Sequence, residues 1–77
     1  MRIHIYQRKP DQPMFVWCSY GFWDGQRIYD CPADIPEPVY EALEAVLPQP
    51  KDWKRWDEFY IAGPDGCTYG VCAALDD

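Results

Sequence analysis

Residues 31–50 read CPADIPEPVYEALEAVLPQP, and the reading of this stretch decides the fold class. Before it, apolar residues alternate with polar ones or form short runs bounded by turn residues. Here the period changes. Val39, Leu43, Val46 and Leu47 fall at i, i+4, i+7 and i+8, the apolar stripe of an amphipathic helix. Pro36 and Pro38 sit where a first turn tolerates missing N–H groups, and Asp34 can serve near the N-terminus. Pro48 and Pro50 stop the helix. Glu37, Glu41 and Glu44 share the opposite side, so its exposed face is a row of carboxylates.

Working outward, the segments on both sides read as strands. RIHIYQ (2–7) alternates Ile3 and Ile5 with Arg2, His4 and Tyr6, the pattern of a half-buried strand. RKPDQP supplies turn chemistry. MFVWCSY (14–20) is expected as a second strand, apolar on both faces, with Phe15 and Trp17 on one side and Met14, Val16 and Cys18 on the other. Asp24-Gly25 is a strong hairpin signal leading into QRIYDC. Beyond the helix, Asp52 is a plausible N-cap for a short helical turn over Asp52–Trp56. Phe59 and Ile61 then alternate with Glu58, Tyr60 and Ala62, GPDG turns, and CTYGVCA runs back. The expected fold is α+β: a small antiparallel sheet of about five strands, ordered β-β-β-α-β-β, with one helix packed on one face. Residues 1–77 form a single domain.

One helix covers only one face of such a sheet. Trp17, Tyr20, Trp23, Trp53 and Trp56 cannot all lie beneath it, and the surplus predicts a second apolar surface, for a homodimer or for a partner. The composition agrees with a folded chain, since hydrophobic residues make up 48% and aromatics 17%. No apolar run is long enough to span a bilayer. The N-terminus alternates and lacks the apolar core of a signal peptide, so the expected location is the cytoplasm, where thiols stay reduced.

The net charge of −6 is unevenly placed. Residues 1–31 carry Arg2, Arg8, Lys9 and Arg27 against three acids, a balance of +1, whereas residues 32–77 carry three cations against ten acids, a balance of −7. Direct binding to nucleic acid needs a basic stripe and is disfavoured. A basic protein partner is favoured, including one with a nucleic-acid groove of its own. DWKRWDEFY (52–60) sharpens the point. Trp53-Lys54-Arg55-Trp56 has the local look of a base-stacking platform, yet Asp52, Asp57 and Glu58 bracket it. Trp53 and Trp56 therefore read either as the closing edge of the core or as a protein-binding anchor.

No catalytic, metal or cofactor signature is present. Cys18 and Cys31 are thirteen residues apart and Cys67 and Cys72 five apart, and a strand would point the second pair to opposite faces. Buried reduced thiols are the plainer reading. A zinc-binding or redox module with all four cysteines converging is the alternative of another class. His4, the single histidine, is expected to face solvent from the polar side of its strand. The Gly residues of AGPDGCTYG lack the spacing and following helix of a phosphate loop.

In overall type the chain resembles the inhibitor proteins that phages encode against host defence, such as anti-CRISPR proteins. The resemblance lies in its short length, acidity, aromatic content and α+β pattern without catalytic residues, and in no motif. It implies a non-enzymatic inhibitor that occupies a basic groove or caps an interface of a larger protein. On that expectation Glu37, Glu41 and Glu44, helped by Asp52 and Asp57, steer association, and Trp53 and Trp56 supply the anchor.

Overall fold

A computed structural model describes residues 1–54 and 57–74, with the backbone alone at Trp17. Its elements are β1 (Arg2–Arg8), β2 (Trp17–Trp23), β3 (Ile28–Tyr29), α1 (Glu37–Val46), a 3₁₀ turn (Pro50–Asp52), β4 (Glu58–Ala62) and β5 (Thr68–Ala73). The strands form one antiparallel sheet in the order β3-β2-β1-β5-β4, with the first strand of the chain at its centre. This is the expected small α+β fold.

The period of two in β1 divides the sheet into two faces. Ile3 pairs with Gly21 and Ala73, and Ile5 with Ser19 and Val71. These residues share the inner face, and Ile3, Ile5 and Val71 are buried. Val39 and Leu43 of α1 are also fully buried and join Leu47, Ile35, Trp23, Ile28, Tyr69 and Trp53 in one core. Each fully buried aliphatic side chain contributes roughly 1.5–3 kcal/mol relative to leaving it in water. The helix ends as expected: Leu47 turns extended at ψ 139° and donates its N–H to Leu43, and Pro48 cannot continue the ladder. Its start differs, because Pro36 occupies the N-cap and no side chain caps it, Asp34 included. Val46 of the predicted stripe remains 47% exposed.

Two expectations need correction. The second strand runs from Trp17 to Trp23 rather than from Met14 to Tyr20, and Met14, Phe15 and Val16 are exposed in the connection before it. The register is set by Trp23, which is buried opposite Ile28 and whose indole N–H donates to the Pro48 carbonyl at 2.7 Å. Gly21 allows that register: a Cβ there would lie 3.3 Å from Cys31 Cβ and 3.4 Å from an Ile28 methyl, so the returning chain packs directly on the strand. Because Ser19 and Gly21 supply no apolar signal, the middle of the inner face of β2 is silent in the sequence, and only Trp23 marks it. A 3₁₀ turn lies over Pro50–Asp52, which puts Asp52 at its end instead of at an N-cap, and residues 55 and 56 of the turn expected over Asp52–Trp56 lie outside the described residues. Both hairpin turns use glycine at positive φ, Gly25 at 98° and Gly66 at 86°. No helix among the described residues is long and apolar enough to cross a membrane.

Candidate functional site

The helix lies on the inner face, so the opposite face of the sheet is the surface left open. Its residues follow from the register. β1 contributes Arg2, His4, Tyr6 and Arg8, and β2 contributes Cys18, Tyr20 and Phe22. Tyr29 extends the face on β3, Gly70 and Cys72 on β5, and Glu58 and Tyr60 on β4. Tyr20 is 52% exposed, Tyr29 42% and Tyr60 55%, and Phe15 from the β1–β2 connection is 40% exposed.

These rings touch in a line across the strands. Arg2 places its guanidinium 5.8 Å from the Tyr20 ring centre. Tyr20 meets His4 edge-on at 4.7 Å, and His4 meets Tyr6 at 6.2 Å. Tyr6 meets Phe15 at 6.0 Å, and Phe15 meets Tyr60 at 6.1 Å. Phe22 stacks on Tyr29 at 5.6 Å beside this line. Aromatic pairs in such geometries are worth about 0.5–1.5 kcal/mol beyond their burial, so the face is held in shape before anything binds.

Between Tyr6, Phe15 and Tyr60 lies a cavity of about 160 Å³, with Glu58 on its wall and Cys72 and Val71 completing the lining. Tyr60 donates its hydroxyl to the Glu58 carboxylate at 2.6 Å, and that bond raises the phenol above its ordinary pKa. The Cys72 thiol sits 3.6 Å from the Tyr6 hydroxyl. That contact, with burial second, pushes Tyr6 up to about 12. Both phenols stay neutral over the physiological range.

None of the described residues expected to bind a partner belongs to this face. Glu37 and Glu41 are exposed on α1, on the far side of the domain. Glu44 is half-buried and structural, since its carboxylate accepts the Ile28 N–H at 2.8 Å. Asp52 is exposed, and Asp57 accepts the Lys54 N–H at 3.2 Å. Trp53 is in the core at 9% exposure, edge-on to Phe59 at 5.1 Å, with no hydrogen-bond partner for its buried Nε1 among the described residues. It closes the core and is not held out as an anchor. Trp56 and Arg55 lie outside the described residues, as do Asp76, Asp77 and the side chain of Trp17.

The cysteines also depart from expectation. Cys18 is exposed and Cys31, Cys67 and Cys72 are half-buried, so none is a fully buried thiol. They do not converge: among the described residues no three His, Cys, Asp or Glu side chains are grouped to hold a metal. His4 is on the predicted strand face but is half-buried, because Tyr20 and Tyr6 pack on it, and its Nε2 is buried without a hydrogen-bond partner among the described residues. Its Nδ1 lies 3.3 Å from the Tyr6 hydroxyl.

Sequence reasoning expected a second apolar surface but built it from tryptophans, because tyrosine at an alternate strand position reads as the polar side. The available signal was that Tyr6, Tyr20, Phe22, Tyr29 and Tyr60 all fall on that alternation. Set against known protein families, curated proteins and solved structures, the chain has no match to any of them.

Proposed function

We propose that this chain is a non-enzymatic protein-interaction domain that binds a larger, basic protein and inhibits it, in the manner of the anti-defence proteins of phages, anti-CRISPR proteins among them. The observation that carries the reading is the open face, where exposed tyrosines and Phe15 form a contiguous, pre-packed surface. Tyrosine is among the side chains most enriched at binding hot spots, because it presents a rigid apolar ring with a polar tip. The docking anchor is therefore the tyrosine face of the sheet, in place of Trp53. The net charge of −6 opposes approach to a phosphate backbone, and at the docking face Glu58, which shares it with Arg2 and Arg8, is the carboxylate that favours a cationic group. A basic protein that itself handles nucleic acid fits both conditions. A cytoplasmic setting goes with four unpaired thiols.

The test is site-specific photo-cross-linking in cells that carry the gene, with the reactive group placed at Tyr20, at Tyr60 or, as a control, at Glu41. The expected result is one basic protein captured from the first two positions and not the third. The purified pair should then associate, and the partner's activity should fall. Capture from Glu41 alone would overturn the reading, as would a partner whose activity is untouched by saturating amounts of the domain.

A further inference from the structure

We infer that the cavity between Tyr6, Phe15 and Tyr60 is an aromatic cage for a single organic cation, the ammonium or guanidinium head of a basic side chain, with Glu58 as its counter-charge. This rests on the proposed binding of a basic partner and names what that partner inserts.

The rings arrive from three separate segments. Gly70 pairs with Tyr6 on one side and Tyr60 on the other, so the two tyrosines flank a position with no side chain. Phe15 closes over them, at 69° to Tyr6 and 40° to Tyr60. Rings set at such angles offer their faces and edges to one half-open volume. A cation within about 6 Å of a ring face is attracted by the ring quadrupole, and more strongly when water is excluded. One row along the sheet, Glu58 pairs with Cys72, which puts a carboxylate on the wall of the cavity. One Glu58 oxygen accepts the Tyr60 hydroxyl, leaving the other able to accept an N–H from the guest. A neutral guest would gain only the apolar contacts. A cation gains the ring faces and the carboxylate together, and that charge complementarity selects it.

Gly70 is the geometric requirement. A Cβ built there lies 2.7 Å from Tyr60 Cε1 and 2.9 Å from Cδ1, so the Tyr60 ring rests on the bare backbone. Gly70→Ala must lift that ring. Tyr60 is exposed and held by its Glu58 hydrogen bond and its Phe15 contact, so its ring yields outward and the cage opens while the sheet remains.

The experiment is an NMR titration of the whole chain with aromatic labels, using acetylated and amidated tripeptides Gly-Xaa-Gly with Xaa arginine, lysine or norleucine. Arginine and lysine peptides should shift the Tyr6, Phe15 and Tyr60 rings saturably, with dissociation constants on the order of millimolar, and norleucine should not. Glu58→Gln keeps an acceptor for Tyr60 but removes the charge, and should weaken binding about tenfold. Gly70→Ala should abolish it with a urea midpoint near that of the parent. Equal binding of norleucine, or indifference to Glu58→Gln, would overturn the cage. So would ring shifts driven by an oligothymidylate while the basic peptides stay silent, which would assign the face to nucleic acid. Shifts that appear on concentrating the chain alone, with the peptides silent, would assign it to a second copy. If the captured partner cross-links to Tyr20 and Tyr60 yet ignores Glu58→Gln, the cage fails and the binding face stands. If the peptides bind but the partner docks on α1, the binding face fails instead.

Discussion

Replacing Glu44 separates a structural carboxylate from a steering one. Its carboxylate accepts the Ile28 N–H at 2.8 Å, which ties the helix to the two-residue edge strand β3. The other nearby donors are already served, since Asp24 Oδ1 takes the Gln26 and Arg27 N–H groups at 2.8 Å each. Glu44→Ala therefore leaves the Ile28 amide without its partner, beside a side chain that is 7% exposed. A hydrogen bond to a charged group is worth about 1.5–3 kcal/mol, and partial exposure of Glu44 lowers that to about 1–2 kcal/mol. With a urea slope near 1 kcal/mol/M for a domain of this size, the midpoint should fall by about 1–2 M, read by tryptophan fluorescence. Glu44→Gln keeps a carbonyl acceptor and should lose about half as much. Glu37→Ala and Glu41→Ala should stay within about 0.5 kcal/mol of the parent, as exposed substitutions do. Amide exchange at Ile28 should quicken in Glu44→Ala alone. If Glu44→Ala and Glu41→Ala unfold at the same urea concentration, the pinning of β3 by the helix is wrong.

Trp23→Phe removes the indole donor to the Pro48 carbonyl from a side chain 1% exposed, and should cost about 2–3 kcal/mol through the lost bond and the lost ring volume; a urea midpoint within error of the parent would refute it. Tyr6 and Tyr69 are both raised to about 12, Tyr6 first by the Cys72 contact and Tyr69 first by burial. Between the ordinary value of about 10 and 12 the unfolded chain loses these protons while the folded chain keeps them. Stability is therefore full below about pH 10 and falls as pH rises toward 12. Urea midpoints at pH 9 and 11.5 check the direction, and an alkaline limb no less steep in Tyr69→Phe would exclude Tyr69 as a source.

The sheet and helix were legible because their signals are local: the two isoleucines of β1, the stripe of Val39, Leu43 and Leu47, the prolines around α1, and the glycine turns. The start of β2 was not legible. Its inner face holds Ser19 and Gly21, whose roles depend on Ile28 and Cys31 packing down on a bare backbone, a contact between segments far apart in sequence. Met14, Phe15 and Val16 carried the stronger local pattern and belong to the connection. The site failed to emerge for a related reason. The eye for partner contact goes to tryptophan, but Trp53 is drawn inward by Phe59 and the helix, and the tyrosines that remain outside are scattered through the chain at one or two per strand. Only the register β3-β2-β1-β5-β4 assembles them.

The same register changes what the acidic row can do. The domain is about 20 Å across its shortest axis, and α1 and the open sheet face lie on opposite sides of it. At physiological ionic strength the Debye length is about 8 Å, so Glu37 and Glu41 act on a partner docking at the tyrosines from more than two screening lengths away. The carboxylate that meets the partner in contact is instead Glu58, which lies on the face itself. Glu37→Gln/Glu41→Gln together should therefore change the association rate less than twofold at physiological salt, whereas Glu58→Gln should lower affinity about tenfold, chiefly through faster dissociation. Stopped-flow association with the captured partner at low and physiological salt, together with dissociation by displacement, decides between the two faces. A severalfold slower association in Glu37→Gln/Glu41→Gln, with Glu58→Gln unaffected, would move the docking surface to the helix and leave the aromatic sheet face without its proposed role.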